Sequence, residues 1–484
     1  MSGRHELDSM FYPKSVAVVG ASSNPTGWGG TSFLTGLHNV GFPGNLYPVN
    51  PKATEIQGLK AYPDVKSIPE VVDFVIVGVP APRVPGVLED CIAAGVKNVH
   101  IFSSGFSETG EEDGRQLEAK ITEIIRRGGL RVVGPNCMGI YVPASKLAGW
   151  GAKPVGTGSM AFVSQSGGHA EMLSRYAQGL GVYFSKVISF GNAAGLQAYD
   201  FLEYLADDAE TRVITMYLEG IKEGNRVARL IKTINRKKPV IIWKGGLTAS
   251  GSRAVASHTG SLAGQESVWN AFYAQTGAVR AYSLEEIVDV AMAFLHLTAP
   301  RGRRVLLLGG GGGNSVALAD ICGREGLEVP QLSPENRKKL AGFIPLAGNS
   351  VRNPLDVWLV QENAELFRQC VDIAVADPAI DLVIIDRHAG GGDSDDFPNR
   401  EELQRAVDNV ILDFARKNAH NKPLVMATNV LNPSPDSIAA AARLRNEFAM
   451  AGVPAYASQL NAARALARFV KYHEFQAASR EDDR

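Results

Sequence analysis

The run Ser15-Val-Ala-Val-Val-Gly20 passes into Ala21-Ser22-Ser23-Asn24-Pro25-Thr26-Gly27-Trp28-Gly29-Gly30. The first part reads as a short strand buried on both faces, the second as a glycine-rich turn into a helix. Outward from it, residues 45–50, 73–78, 98–103 and 130–134 are four more short β-rich runs. Amphipathic stretches such as 84–94 and 113–127 lie between most of them. This alternation predicts a doubly wound, Rossmann-like parallel sheet that closes near Tyr141.

The pattern then recurs. After a Pro/Gly/Lys-containing linker over residues 143–158, a second unit runs to about residue 297. It holds strands over 160–163, 212–218 and 239–244, with Ser164-Gln165-Ser166-Gly167-Gly168 after the first of them. A third opens at Arg301-Gly-Arg-Arg304, with Val305-Leu-Leu-Leu308, glycines at 309–313 and strands over 381–385 and 423–427. Three consecutive α/β domains are expected, over residues 1–145, 157–299 and 302–472. The last two form a weak internal repeat of element order. Where the second unit carries His258, the third has Asn432-Pro-Ser-Pro-Asp-Ser437 and no histidine.

The 484 residues carry 49 basic and 50 acidic side chains, which argues against a nucleic-acid or anionic-membrane field. The N-terminus, Met-Ser-Gly-Arg-His-Glu-Leu-Asp, has no apolar targeting core, and no apolar run approaches membrane-spanning length. A cytoplasmic protein is expected. Cys91, Cys137, Cys322 and Cys370 are far apart and read as buried small hydrophobes, with neither disulfide nor metal site anticipated.

His258 stands in Gly251-Ser-Arg-Ala-Val-Ala-Ser-His-Thr-Gly-Ser-Leu-Ala-Gly264, with no carboxylate and no bulky neighbour. The expectation is a flexible loop after the 239–244 strand, at the carboxyl edge where ligands of open α/β sheets bind. A histidine there suits a nucleophile that is phosphorylated and swings between sites; an ordinary polar loop histidine is the competing reading. Glu219 directly follows the 212–218 strand and is placed to accept Nδ1–H from such an imidazole, unless it is a solvated loop acid. The Ser164–Gly168 turn is a candidate anion cradle, to which the helix end adds about 0.3–1 kcal/mol per anion. Plain N-capping would explain its serines, but not its paired glycines. In the first turn, Gly20, Ala21, Ser22 and Asn24 depart from dinucleotide spacing, and the second strand ends Asn50-Pro51-Lys52 with no acid. A lysine attracts a phosphorylated ribose, which points to coenzyme A and leaves NADP open on this residue alone; a turn with no ligand is also open. Pro80, after the third strand, joins this expected cofactor-binding set.

In this order, these residues resemble the alpha part of the NDP-forming acyl-CoA synthetases, relatives of succinyl-CoA synthetase. The match runs from Phe11-Tyr-Pro-Lys-Ser-Val-Ala-Val-Val-Gly-Ala-Ser22 through Gly58-Leu-Lys-Ala-Tyr-Pro63, Gly134-Pro-Asn-Cys-Met-Gly139 and Val163-Ser-Gln-Ser-Gly-Gly168. It continues with Tyr217-Leu-Glu-Gly220, Ser257-His-Thr-Gly-Ser-Leu-Ala-Gly264 and Asn353-Pro-Leu-Asp356, and covers about residues 10–470. The resemblance implies a CoA-binding Rossmann-like domain followed by two flavodoxin-like, succinyl-CoA-synthetase-type domains. It implies that His258 is phosphorylated, that Glu219 orients it, and that Ser164, Gln165, Ser166, Gly167 and Gly168 receive phosphate. Gly309–Gly313 departs from the expected mixed turn. The chain also has no ATP-grasp region and no Walker loop. An ATP-grasp beta subunit is therefore expected, in a heterotetramer, with ATP/ADP and Mg2+ entering only through it. A non-catalytic CoA-binding regulatory or scaffold protein and an NADP-dependent oxidoreductase are the competing functions. The carboxylic acid is not legible; Trp150 and Trp358 are candidates for an acyl pocket, but aromatic residues read first as core.

Overall fold

The computed structural model describes residues 5–24, 29–151, 153–259, 264–357, 363–389, 399–430 and 433–482. The strands, in chain order, are β1 Ser15–Val19, β2 Asn45–Val49, β3 Glu55–Ile56, β4 Leu59–Lys60, β5 Phe74–Val77, β6 Asn98–Ile101 and β7 Arg131–Val133. There follow β8 Gly139–Tyr141, β9 Met160–Ser164, β10 Phe184–Ser189, β11 Val213–Leu218, β12 Val240–Lys244 and β13 Val279–Ala281. The last are β14 Val305–Gly309, β15 Ser350–Val351, β16 Leu355–Asp356, β17 Leu382–His388, β18 Leu424–Asn429 and β19 Ala455–Tyr456. Among the described residues they form three main sheets, ordered β2-β1-β5-β6-β7, β13-β12-β11-β9-β10-β8 and β15-β16-β14-β17-β18-β19.

The α/β reading holds in each sheet. β1, β9, β10 and β11 are buried at every position, as parallel strands covered on both faces must be. β1 pairs in parallel with β2 on one side and β5 on the other, so the strand order reverses at its carboxyl end. That is the crevice such sheets offer to a ligand. β8 runs antiparallel against β10, with Gly139 opposite Ser189, so Gly139–Tyr141 edges the second sheet instead of extending the first.

The chain divides into two compact units, Met1–Gln178 with Val182–Ile287, and Gly179–Gly181 with Val288–Arg484. The first unit holds both of the first two sheets. Trp150 belongs to its core: it is buried, donates Nε1–H to the Ile140 carbonyl at 3.1 Å and packs on Tyr141. Trp358 lies outside the described residues. All four cysteines are buried and free, and burial pushes the thiols of Cys91, Cys322 and Cys370 up to about 12.

One expectation is corrected. The segment before and including His258 is not a loop: Ala249–Thr259 is helical, and His258 is its penultimate residue. Ala249, Arg253, Ala254 and Ala256 are good helix formers. Thr248 Oγ1 accepts the Gly251 N–H at 3.0 Å, capping the first turn.

Candidate functional sites at two sheet edges

A cavity of about 390 Å³ opens at the carboxyl ends of β1, β2 and β5, lined among others by Gly20, Asn50, Lys52, Pro80 and Arg83. Three residues of the expected cofactor set, Gly20, Lys52 and Pro80, therefore meet there. Ala21, Ser22 and Asn24 do not line it. Ala21 is buried and its carbonyl accepts Asn50 Nδ2 at 2.7 Å; the Ser22 N–H donates to Thr31 Oγ1 at 2.9 Å. The glycines serve close approach: a Cβ on Gly30 would lie 2.6 Å from the Gly20 carbonyl carbon, and Gly20 has φ +92°.

Charge in this cavity is lopsided. Of its two carboxylates, Asp64 accepts from Ser67 N–H and Oγ at 2.9 and 2.6 Å, and Asp90 pairs with Lys66 at 3.0 Å. The Lys52 ammonium and Arg83 guanidinium are exposed and make no ion pair among the described residues. A concave site with occupied acids and two available cations fits a phosphorylated ligand. Arg83 lines the cavity but is outside the set expected from sequence. Its position just beyond a strand end, in Pro80-Ala-Pro-Arg83, was the available signal.

The second site lies at the carboxyl edge of β9, β11 and β12. Ser164 ends β9 and the helix Gly167–Gly179 starts three residues on. Ser166 Oγ accepts the His169 N–H at 3.2 Å, so N-capping is one role of this serine. Ser164 Oγ donates to the Ser166 carbonyl at 2.8 Å and closes the turn. Gly168 is exposed, and a Cβ there would meet nothing nearer than Ser166 Oγ at 3.9 Å, which leaves open space at the helix start.

Gln165 reaches across to β11. Its Oε1 accepts the backbone N–H of Glu219 at 2.5 Å and of Gly220 at 2.9 Å. Glu219 is only 5% exposed, and Tyr217 donates its hydroxyl to Glu219 Oε1 at 3.2 Å. Burial raises the Tyr217 pKa, and the Glu219 charge adds to this. Lys244, ending β12, is also 5% exposed; burial lowers its pKa and Glu219 partly restores it. Its Nζ donates to the Gly245 carbonyl and lies 5.5 Å from the centre of the Trp269 ring. The His169 ring packs on Tyr217 at 4.3 Å and on Trp243 at 5.0 Å. Tyr217 belongs to the Tyr217–Gly220 motif, whereas Lys244 and His169 are outside the set expected from sequence; a lysine closing an otherwise apolar strand is the cue for the first. The helix that carries His258 lies against the turn Ser107–Thr109, and the His258 side chain is outside the described set. No cluster of potential metal ligands occurs among the described residues.

Residues 14–143 match the CoA binding domain family and residues 157–294 the succinyl-CoA ligase like flavodoxin domain family. The chain is 35% identical over 481 residues to the alpha subunit of acetate–CoA ligase [ADP-forming] I of Pyrococcus furiosus, covering 98% of this chain and 99% of that one. It is 39% identical over 379 residues to acetate–CoA ligase [ADP-forming] I of Archaeoglobus fulgidus, covering 78% of this chain but 54% of that longer relative. A solved dinucleotide forming acetyl-coenzyme A synthetase 1 of Ca. Korarchaeum cryptofilum, in complex with phosphate and ADP, superposes with a TM-score of 0.85. It is 30% identical and 99% of each chain is covered.

Proposed function

We propose a function for this chain, which belongs to the family of alpha subunits of ADP-forming acetate–CoA ligases. It is the CoA-binding, phosphohistidine-carrying subunit of an ADP-forming acyl-CoA synthetase, an acid–thiol ligase. The overall reaction is acyl-CoA + phosphate + ADP ⇌ carboxylic acid + CoA + ATP. The observation that carries this reading is the junction of two motifs at one sheet edge, where Gln165 fastens Glu219 beside the Ser164–Gly168 turn. Relatives named as ligases favour catalysis over a regulatory CoA-binding protein.

Gly20, Lys52 and Pro80, with Arg83, hold CoA; Lys52 faces the ribose phosphate. Ala21, Ser22 and Asn24 shape the turn beneath it. Ser164, Gln165, Ser166, Gly167 and Gly168 receive phosphate, the exposed glycine N–H groups donating to its oxygens. Phosphate displaces CoA from the thioester as an acyl phosphate. His258 then takes the phosphoryl group, releasing the acid, and Glu219 holds the imidazole by its Nδ1–H. Splitting the transfer in two lowers each barrier. An ATP-grasp beta subunit supplies Mg2+ and ADP and takes the phosphoryl group on, in a cytoplasmic heterotetramer. The extra length of the Archaeoglobus relative is consistent with such a partner. The working domains are residues 1–145 for CoA, 157–299 for the histidine chemistry and 302–472 for architecture.

The assembled complex is incubated with acyl-CoA and labelled phosphate. An acid-labile phosphohistidine forms in the native chain and is absent from His258→Ala. Equal labelling of the variant overturns the assignment, and robust ATP formation by the purified single chain overturns the two-subunit scheme.

A further inference from the structure

Lys244 closes β12 at the edge where Glu219 follows β11, and the reaction scheme above gives it no task. In the parallel register Leu218 stands opposite Lys244, and the Gly245 N–H donates to the Leu218 carbonyl at 2.9 Å, so the backbones of Lys244 and Glu219 are neighbours. Each of the two residues is 5% exposed. A charge taken that far from water is costly unless an opposite charge lies close by. Burial lowers the Lys244 pKa, and the attraction of the Glu219 carboxylate opposes it. The ammonium also donates to the Gly245 carbonyl, which fixes it at the strand end.

The other groups around Glu219 are neutral or engaged elsewhere. Gln165 is an amide, and the Tyr217 hydroxyl, its pKa raised by burial, stays a donor to Glu219 Oε1. His169 packs its ring on Tyr217 and Trp243. Lys222, three residues further along, donates Nζ to the Ala193 carbonyl at 3.3 Å. Arg253, on the helix Ala249–Thr259, is exposed and donates to Ser250 Oγ at 3.3 Å. Among the described residues, Lys244 is the buried cation of this edge.

The turn that Lys244 opens also anchors the segment bearing His258 on both sides. A Cβ on Gly246 would lie 2.7 Å from Val255 Cγ2, three residues before His258, and one on Gly264 would lie 2.8 Å from Trp269 Nε1. The Lys244 ammonium stands 5.5 Å from the centre of that same Trp269 ring.

We propose that Lys244 is the counter-ion that keeps Glu219 a carboxylate, and is thereby a positioning residue for His258. This rests on the phosphohistidine reading above. An ionised Glu219 accepts Nδ1–H and holds the imidazole, whereas a protonated one offers that donor a far weaker acceptor. Lys244 acts through Glu219 and not on the reacting atoms.

The test is the initial rate of His258 labelling by acyl-CoA and labelled phosphate in the assembled complex, from about pH 6 to about pH 9. Lys244→Met replaces the ammonium with an apolar chain of similar length. It labels at least about tenfold more slowly than the native chain at the acid end, and comes within about threefold at the alkaline end, where the carboxylate loses the proton it has gained. His169 is common to both proteins, so its titration cancels in the ratio. In chemical denaturation Lys244→Met lowers the midpoint, and Lys244→Met/Glu219→Gln recovers part of the loss because no buried charge is left alone. A single variant too unstable to assemble, beside a double variant that folds, supports the pair in the same way. A deficit that is constant with pH, or a double variant no more stable than the single, means that Lys244 only packs, and overturns the proposal. A native complex that takes no label removes the phosphohistidine reading and this role with it. A native complex that labels, with Lys244→Met equal to it at every pH, removes this role alone.

Discussion

Gln165 and Glu219 stand 54 positions apart and meet through a single oxygen: Gln165 Oε1 takes the Glu219 N–H at 2.5 Å and the Gly220 N–H at 2.9 Å. The side chain from the Ser164–Gly168 turn thereby sets the backbone from which Glu219 projects. Gln165→Leu strands two partly buried donors, at about 1–3 kcal/mol each, and frees Glu219 to shift. Turnover in the assembled complex falls by about 10- to 100-fold, more in kcat than in KM for CoA. Gln165→Glu keeps the acceptor and restores part of kcat. A variant that loses stability but keeps native kcat would show the contact to be structural only.

At the cavity beyond β1, β2 and β5, Lys52 and Arg83 are the cations available to the ribose phosphate of the proposed CoA ligand, since Asp64 and Asp90 are already engaged. Lys52→Ala weakens CoA by about tenfold, the worth of one charge-assisted hydrogen bond, and leaves dephospho-CoA nearly unchanged. Calorimetry of the two ligands measures the gap. Tighter binding of NADP than of CoA by the native chain would reverse the ligand assignment.

The buried Lys186 on β10 gives a test of the fold that frames the site. It is fully buried, with Nζ 2.8 Å from Asp208 and 3.0 Å from Glu210, between the rings of Tyr12 and Tyr204. Lys186→Met leaves the buried Asp208 carboxylate without its cation and costs about 3–5 kcal/mol in chemical denaturation. Lys186→Met/Asp208→Leu recovers most of it, because an apolar pair carries no desolvation penalty. If the single substitution is silent, the ion pair does not hold this edge of the sheet.

These examples also mark what is legible in the chain. β1 and β11 announce themselves, because a strand buried on both faces needs an unbroken apolar run. Lys52 was legible as well, since a charge at a strand end has a readable sign. The Gln165–Glu219 link was not: both motifs were visible, but their pairing depends on β9 and β11 lying side by side, which no local pattern encodes. Ala249–Thr259 misled for a different reason. Ser250, Gly251 and Ser252 look like loop, and the Thr248 cap with the later alanines outweighs them. β8 is three residues long, too short for any periodicity to assign it to the second sheet.

His100 supplies the pH dependence. It sits fully buried on β6 against Phe33, with Nε2 3.1 Å from the Cys137 carbonyl, and burial lowers its pKa from 6.5 to about 4. A Cβ on Gly139 would come within 2.5 Å of its ring, so the pocket has no slack to admit water around a charged imidazole. The unfolded chain binds a proton near pH 6.5 that the folded chain refuses until about pH 4. The stability held by the neutral ring is therefore complete above pH 6.5 and lost as the pH falls from 6.5 toward 4, for a total of about 3 kcal/mol. Urea denaturation at pH 7.5, 6 and 5 on the native chain and on His100→Gln reads this, since the amide cannot titrate (pH values set about the ordinary histidine pKa). The native midpoint falls more steeply across that window than the variant's, whatever His100→Gln costs at pH 7.5. Parallel pH slopes for the two proteins would mean that His100 is not the group whose protonation opposes folding.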